Sequence, residues 1–224
     1  VDLLRHTTAC LRATFVDVMG SEARVINMKV AARAKKGALE AIDIVRLLVD
    51  VLSNLPSPST CDSFLSLLFP DEATVIGASN ALVSVLIHLL ARTTVVVWRH
   101  SKVMGQSLYQ RESRATEMRE THGELAKICY DLTFYCLSAC LVLLRSSRVA
   151  AEAVYNGLNS AGIAETLAEK DIFRTLAKLR MYECRQGTYD VSLLSLRLTE
   201  ELLDHMRLSV VCLDISRTLK DLDA

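Results

Sequence analysis

The chain has 224 residues, 51% of them apolar, with only three prolines and eight glycines, so one large domain built from helices is expected. Its 26 basic and 26 acidic residues cancel, which removes the long-range field of a typical nucleic-acid binder. Seven cysteines, an odd number without a CxxC pair, exclude a regular disulfide framework and indicate reduced thiols in an intracellular compartment, cytoplasmic or nuclear.

Asp2 and Arg5 interrupt the first apolar residues, so no signal peptide is expected, and a start at Val rather than Met suggests an excerpt or a processed product. Residues 3–19 place Leu4, Leu11, Phe15 and Val18 at helical spacing, a rhythm that stops at Gly20. Ser21 is the expected N-cap of a helix over 22–53, with Gly37 as its weak point. The first half of that helix is basic. Arg24, Lys29, Arg33, Lys35, Lys36 and Arg46 offer a docking face for phosphate or an acidic protein, although Glu22, Glu40 and Asp43 dilute it. No aromatics are interleaved to stack on bases, so a solvated face is the simpler reading.

"NLPSPST" at 54–60 is a break, because two prolines at that spacing cannot sit inside a helix. Asp62 is expected to cap a short helix that Pro70 ends, and Asp71 to open a long one reaching His100. Within it, "ASNALVSVLIHLLARTTVVVW" (78–98) has the length of a membrane span. Asn80, Ser84, His88 and Arg92 step by four, however, and draw one polar stripe along an otherwise apolar helix. A thin wet stripe on a helix buried elsewhere suits the centre of a soluble protein, and no membrane span is expected.

Residues 101–123 are dense in both charge signs and read as an exposed polar helix. A buried helix over 124–145 follows, with Cys129, Cys136 and Cys140 on one face as small core residues. Shorter helices are expected at 147–158, 160–169, 171–185 and 189–220, with turns at Gly157, Gly162 and Gly187. No strand-like alternation of any length is seen. In the last helix Leu194, Leu198, Glu201, Leu202, His205, Leu208 and Leu213 form an apolar stripe with a few polar positions, the expected docking surface.

Motifs for chemistry are missing. No GxGxxG, P-loop, HExxH or GxSxG occurs. His6 and Cys10 share a helix face but lack the further ligands that zinc requires. Glu200, Glu201 and Asp204 read as a solvated face. Neither cofactor, metal nor catalytic residue is therefore assigned. A cavity lined by His88, Tyr130 and Tyr135 would instead favour a ligand carrier.

"VAAEAVYNGLN" (149–159) resembles the second helix of an armadillo-type repeat. "EKDIFRTLAKL" (169–179) is similar to the third, with Ile172, Leu176 and Leu179 inward, and "DVSLLSLRLTEELL" (190–203) would begin the next unit. The resemblance implies an α-helical repeat that binds other proteins along a groove.

The expected fold class is all-α: one multi-helix domain over 1–224, either an irregular α-solenoid of armadillo/HEAT-like type or an orthogonal helical bundle. Sub-units would fall at 1–55, 60–145 and 147–224. The expected function is a non-catalytic intracellular scaffold or adaptor, binding proteins in a hetero-complex or homo-oligomer. Its partner-binding residues would be Leu194, Leu198, Leu202, His205 and Leu208, with Lys29, Arg33, Lys35 and Lys36. The alternatives are an all-α ligand carrier or enzyme with a pocket between the long helices, and a nucleic-acid-associated subunit using the 24–46 face.

Overall fold

Sparse glycine and proline leave long helices uninterrupted, and the computed structural model is all-α. It describes residues 2–13, 15–16, 25–26, 28–106, 114–159 and 179–205. In chain order these form α1 (Asp2–Ala13), α2 (Met28–Ser53), α3 (Pro58–Leu68), α4 (Val75–Gln106), α5 (Arg114–Ser146), α6 (Arg148–Asn159), α7 (Arg180–Gln186) and α8 (190–205). One short antiparallel pair, β1 (Phe15–Val16) with β2 (Val25–Ile26), lies between α1 and α2 and is too small to form a layer.

Several helix ends differ from the sequence reading. Ser57, not Asp62, caps α3: its Oγ accepts from the Thr60 N–H at 3.3 Å, and Pro58 takes the first helical position. Proline suits that position because its missing N–H would have no partner there and its fixed φ is already helical. The long apolar helix starts at Val75 rather than Asp71, where Thr74 Oγ1 accepts from the Gly77 N–H at 3.1 Å. The polar stretch expected as a separate helix divides instead: 101–106 extend α4 and 114–123 begin α5. The exposure expected of residues 101–122 lies outside the described side chains, as do the helices expected over 160–178 and the chain beyond 205. Gly157 is not a turn but sits inside α6. An added Cβ there would come within 2.6 Å of Ile87 Cδ1 and 2.8 Å of Val83 Cγ1, so a side chain is excluded by the close approach of α6 to α4. Gly187 does end a helix, with φ at 72° in the left-handed region that glycine enters at low cost.

Packing centres on α4 and α5, which lie against each other. α4 also touches α1, α3, α6 and α7, and α5 touches α2 and α6. Along α2, Ala31, Ala34, Ala38, Ala41, Val45, Leu48 and Leu52 are all buried, at alternating steps of three and four. That spacing puts them on one side of the helix. Alanines in the first half let α2 come close to its neighbours, and at Gly37 a Cβ would meet Thr7 Oγ1 of α1 at 2.8 Å. A single contiguous cluster of buried apolar side chains runs from Leu4 to Leu202 and draws on every helix from α1 to α8. Cys129, Cys136 and Cys140 belong to it, as their spacing implied.

Two segments are long and apolar enough to cross a membrane by length and composition, Val75–Trp98 and Gly123–Ser146. In the most apolar window of each, 67% and 56% of residues are already buried inside the molecule. On α4, Asn80 and Ser84 are exposed while His88 and Arg92 are half-buried, so the polar stripe is the wet edge of a helix covered elsewhere.

Candidate functional site

The C-terminal helix α8 is held by a buried carboxylate. The short α7 carries Tyr182 and Glu183 inward, both buried, and is capped by Gly187, three residues before α8 begins at Asp190. Glu183 thereby meets the N-terminus of α8. Its Oε1 accepts from the backbone N–H groups of Val191 and Ser192, each at 3.0 Å, and its other oxygen accepts from the Ser192 hydroxyl. Those N–H groups have no partner within their own helix, and the helix dipole favours negative charge there. Tyr130 of α5 completes the node by donating its hydroxyl to Glu183 Oε1 at 2.8 Å. Its ring lies 5.2 Å from Tyr182, which in turn meets His100 edge-on at 6.2 Å. Burial, the largest cause, pushes the Tyr130 phenol up to about 12. Burial likewise lowers His100, with Arg185 adding to the effect. The arrangement fixes one helix rather than presenting a reactive group: every oxygen contact of Glu183 is used in capping or in tying α5 to α8.

The described leucines of the apolar stripe expected as a docking surface face inward. Leu198 is fully buried and Leu202 nearly so, while Leu194 packs half-buried against the same core. His205 is half-buried with its ring 6.0 Å from Tyr155, and Leu208 lies outside the described residues. This corrects the sequence reading for Leu194, Leu198 and Leu202, which hold α8 to the rest of the chain. The opposite side of α8 carries a second apolar stripe. Tyr189, Leu193, Leu196 and Leu203 are 47%, 59%, 58% and 49% exposed. At 100° per residue the three leucines lie across the helix from Val191, Leu198 and Leu202, and Tyr189 stands just before its first turn. Arg145 of α5 pins the flank of α8 through an ion pair with Glu201.

On α2 the basic residues scatter. Lys29, Arg33 and Lys36 are exposed, but Lys35 turns to α5 and pairs with Glu124 at 2.5 Å. Lys36 lies 3.9 Å from Glu40, and Arg24 is outside the described residues. Exposed Leu39, Ile44 and Leu47 on this helix are interrupted by Lys36, Glu40, Asp43 and Arg46, so neither a pure basic face nor a pure apolar one results.

Among the described residues, His88 is not seen to share a cavity with Tyr130 and Tyr135. His88 lines a pocket of about 460 Å³ with Arg5, Glu72 and Ser84, and neither tyrosine borders it. There His88 Nδ1 donates to the Ser84 carbonyl at 2.7 Å, so that nitrogen carries its proton and cannot act as a base toward the Ser84 hydroxyl 3.4 Å away. His6 Nε2 and Cys10 Sγ lie 3.4 Å apart. No group of three or more His, Cys, Asp or Glu among the described residues is placed to hold a metal ion.

Glu183 and Tyr182 escaped the sequence reading. The one signal available was Gly187, which marks a turn between two helices; an acid one helical turn before such a glycine can reach the next helix's N-terminus. No protein-family model, curated protein or solved structure matches the chain.

Proposed function

We propose that the protein is a non-catalytic scaffold or adaptor subunit, intracellular, which binds other proteins through an apolar helical surface. The observation that carries this reading is the second stripe on α8, Tyr189, Leu193, Leu196 and Leu203, left in water by a helix whose other side is fully used. A run of apolar side chains aligned on one exposed helix face favours a partner, whereas single exposed leucines need no explanation. Supporting it, the node at Glu183 holds α8 rigidly, which lowers the entropy lost on binding.

The proposed architecture is a bundle around α4 and α5 rather than a one-dimensional array. In a solenoid each unit contacts its neighbours in sequence. Here α1 touches α4 and α2 touches α5, contacts that skip intervening elements. The burial of α4 and α5 supports a core role for both and no membrane span. No described cysteine forms a disulfide, neither Cys10 and Cys184 nor Cys61, Cys129, Cys136 and Cys140 in the core, which is in keeping with a reducing compartment.

Affinity purification from the native cell, followed by mass spectrometry, tests the function. The Leu193→Asp/Leu196→Asp double variant should lose the partners that the wild type retains, with an unchanged helical circular dichroism spectrum. If the folded double variant keeps the full set of partners, this surface is not the docking site. A protein that enters the membrane fraction and resists carbonate extraction would overturn the core reading of α4.

A further inference from the structure

The outer face of α8 is self-complementary. Tyr189, Leu193, Leu196, Glu200 and Leu203 recur at spacings of four, three, four and three, the seam of two-helix coiled-coil packing. The flanks of that seam differ in kind. One carries Asp190, Arg197 and Asp204 at seven-residue intervals, alternating acid, base, acid, and the other carries the uncharged Ser192 and Thr199. Asp190 and Arg197 are both exposed.

These positions discriminate between arrangements. A parallel second helix would set the charged flank against the hydroxyl flank and leave the charges unmatched. An antiparallel copy brings like flanks together. When Leu193 of one chain layers on Leu196 of the other, Arg197 comes opposite Asp190 of the other chain, and the two-fold axis repeats the pair. The same register sets Tyr189 against Glu200; its hydroxyl, 3.7 Å from Cys184 Sγ within one chain, can exchange that weak sulfur acceptor for the carboxylate. Leucine layers would exclude water at the centre, with charge pairs at the rim, as in stable interfaces. Formal net charge is zero, so no long-range repulsion keeps two copies apart.

We infer that the occupant of this face is a second copy of the same chain, docked antiparallel about a two-fold axis through the Leu193 and Leu196 layers. The inference rests on the adaptor reading only in taking the outer stripe of α8 as the interface. An isologous pairing of this kind makes each contact twice, so one substitution disturbs the interface at two places.

Sedimentation equilibrium of the full chain, over a wide concentration range, tests it by charge exchange. The wild type should form a reversible dimer. Arg197→Asp should weaken it by about tenfold or more, since it sets like charges together at both rims. Asp190→Arg should do the same, and the combined variant should recover most of the lost affinity. Asp190→Arg also removes an acid from the start of α8, but the combined variant shares that loss, so recovery reports the pairing itself. A monomer at every concentration overturns the inference, as does a dimer indifferent to Arg197→Asp and Leu193→Asp. If a monomeric wild type still captures other proteins and Leu193→Asp abolishes that, the dimer is refuted while the adaptor function stands. If charge exchange rescues the dimer while capture ignores Leu193→Asp, the dimer stands and the adaptor surface lies elsewhere.

Discussion

The helices α4 and α8 are each apolar on opposite sides, yet their surroundings differ. Both sides of α4 are covered, by α1, α3, α5, α6 and α7, and among its described side chains the edge through Ile76, Asn80 and Ser84 stays wet. On α8 the inner residues Val191, Leu198 and Leu202 are buried, while the outer leucines are about half exposed. Two-sided apolarity therefore means that a helix needs two neighbours, and does not say whether the chain itself supplies both. For α4 it does. For α8 it supplies one.

The sharpest way to break this comparison is to place the same substitution on each side of α8. Leu198→Asp should unfold the protein or cost more than about 4 kcal/mol, because it buries a charge with no partner. Leu196→Asp, two residues earlier, should stay within about 0.5 kcal/mol of wild type. Urea denaturation of both variants measures the difference, and equal costs would mean that the two faces are equally buried.

Next in size is the tether. Glu183→Ala leaves Tyr130 and two N–H groups of α8 without their acceptor, at an expected cost of about 2–4 kcal/mol. Hydrogen exchange should show 190–205 losing protection before α4 does. Glu183→Gln keeps an acceptor and should cost less than the alanine change. If Glu183→Ala melts no more easily than wild type, α8 is held by its leucines alone.

Gly157→Ala sets two effects against each other. Helix propensity alone favours alanine by about 1 kcal/mol. The added Cβ, however, would press on Ile87 and Val83 in the packed interface between α6 and α4. We expect a net loss of about 1–3 kcal/mol, typical of overpacking. A rise in Tm would show that the two helices can move apart freely.

The smallest expected effect is a pH dependence. Tyr130 normally ionises near 10.0 and is raised in the folded protein to about 12. The unfolded chain therefore loses this proton first, and stability falls as pH rises between those values while remaining full below them. Tyr130→Phe should flatten the fall in that window, followed by denaturation at stepped pH. An unchanged slope would place the phenol in water.

Much of the fold was legible because it rests on local rules. The break at 54–60, the turn at Gly187 and the inward face of Cys129, Cys136 and Cys140 follow from proline geometry, a left-handed glycine and helical spacing. Helix starts were less legible, since Ser57, Asp62, Asp71 and Thr74 all suit a cap and only the backbone path selects among them. Gly157 read as a turn because the sequence does not show Ile87 and Val83 approaching it.

The sequence by itself determined an all-α chain with balanced charge, a helix over 78–98 apolar except for one stripe, and a C-terminal helix rich in leucine. Only the tertiary structure decided which side of each helix is spent on the chain's own core. Periodicity places residues on a common side, but burial depends on what packs there, and that is set by contacts between residues distant in sequence. Tyr130 reaching Glu183 across 53 positions is one such contact; beside it Leu198 and Leu202 face inward while Leu193 and Leu196 face water.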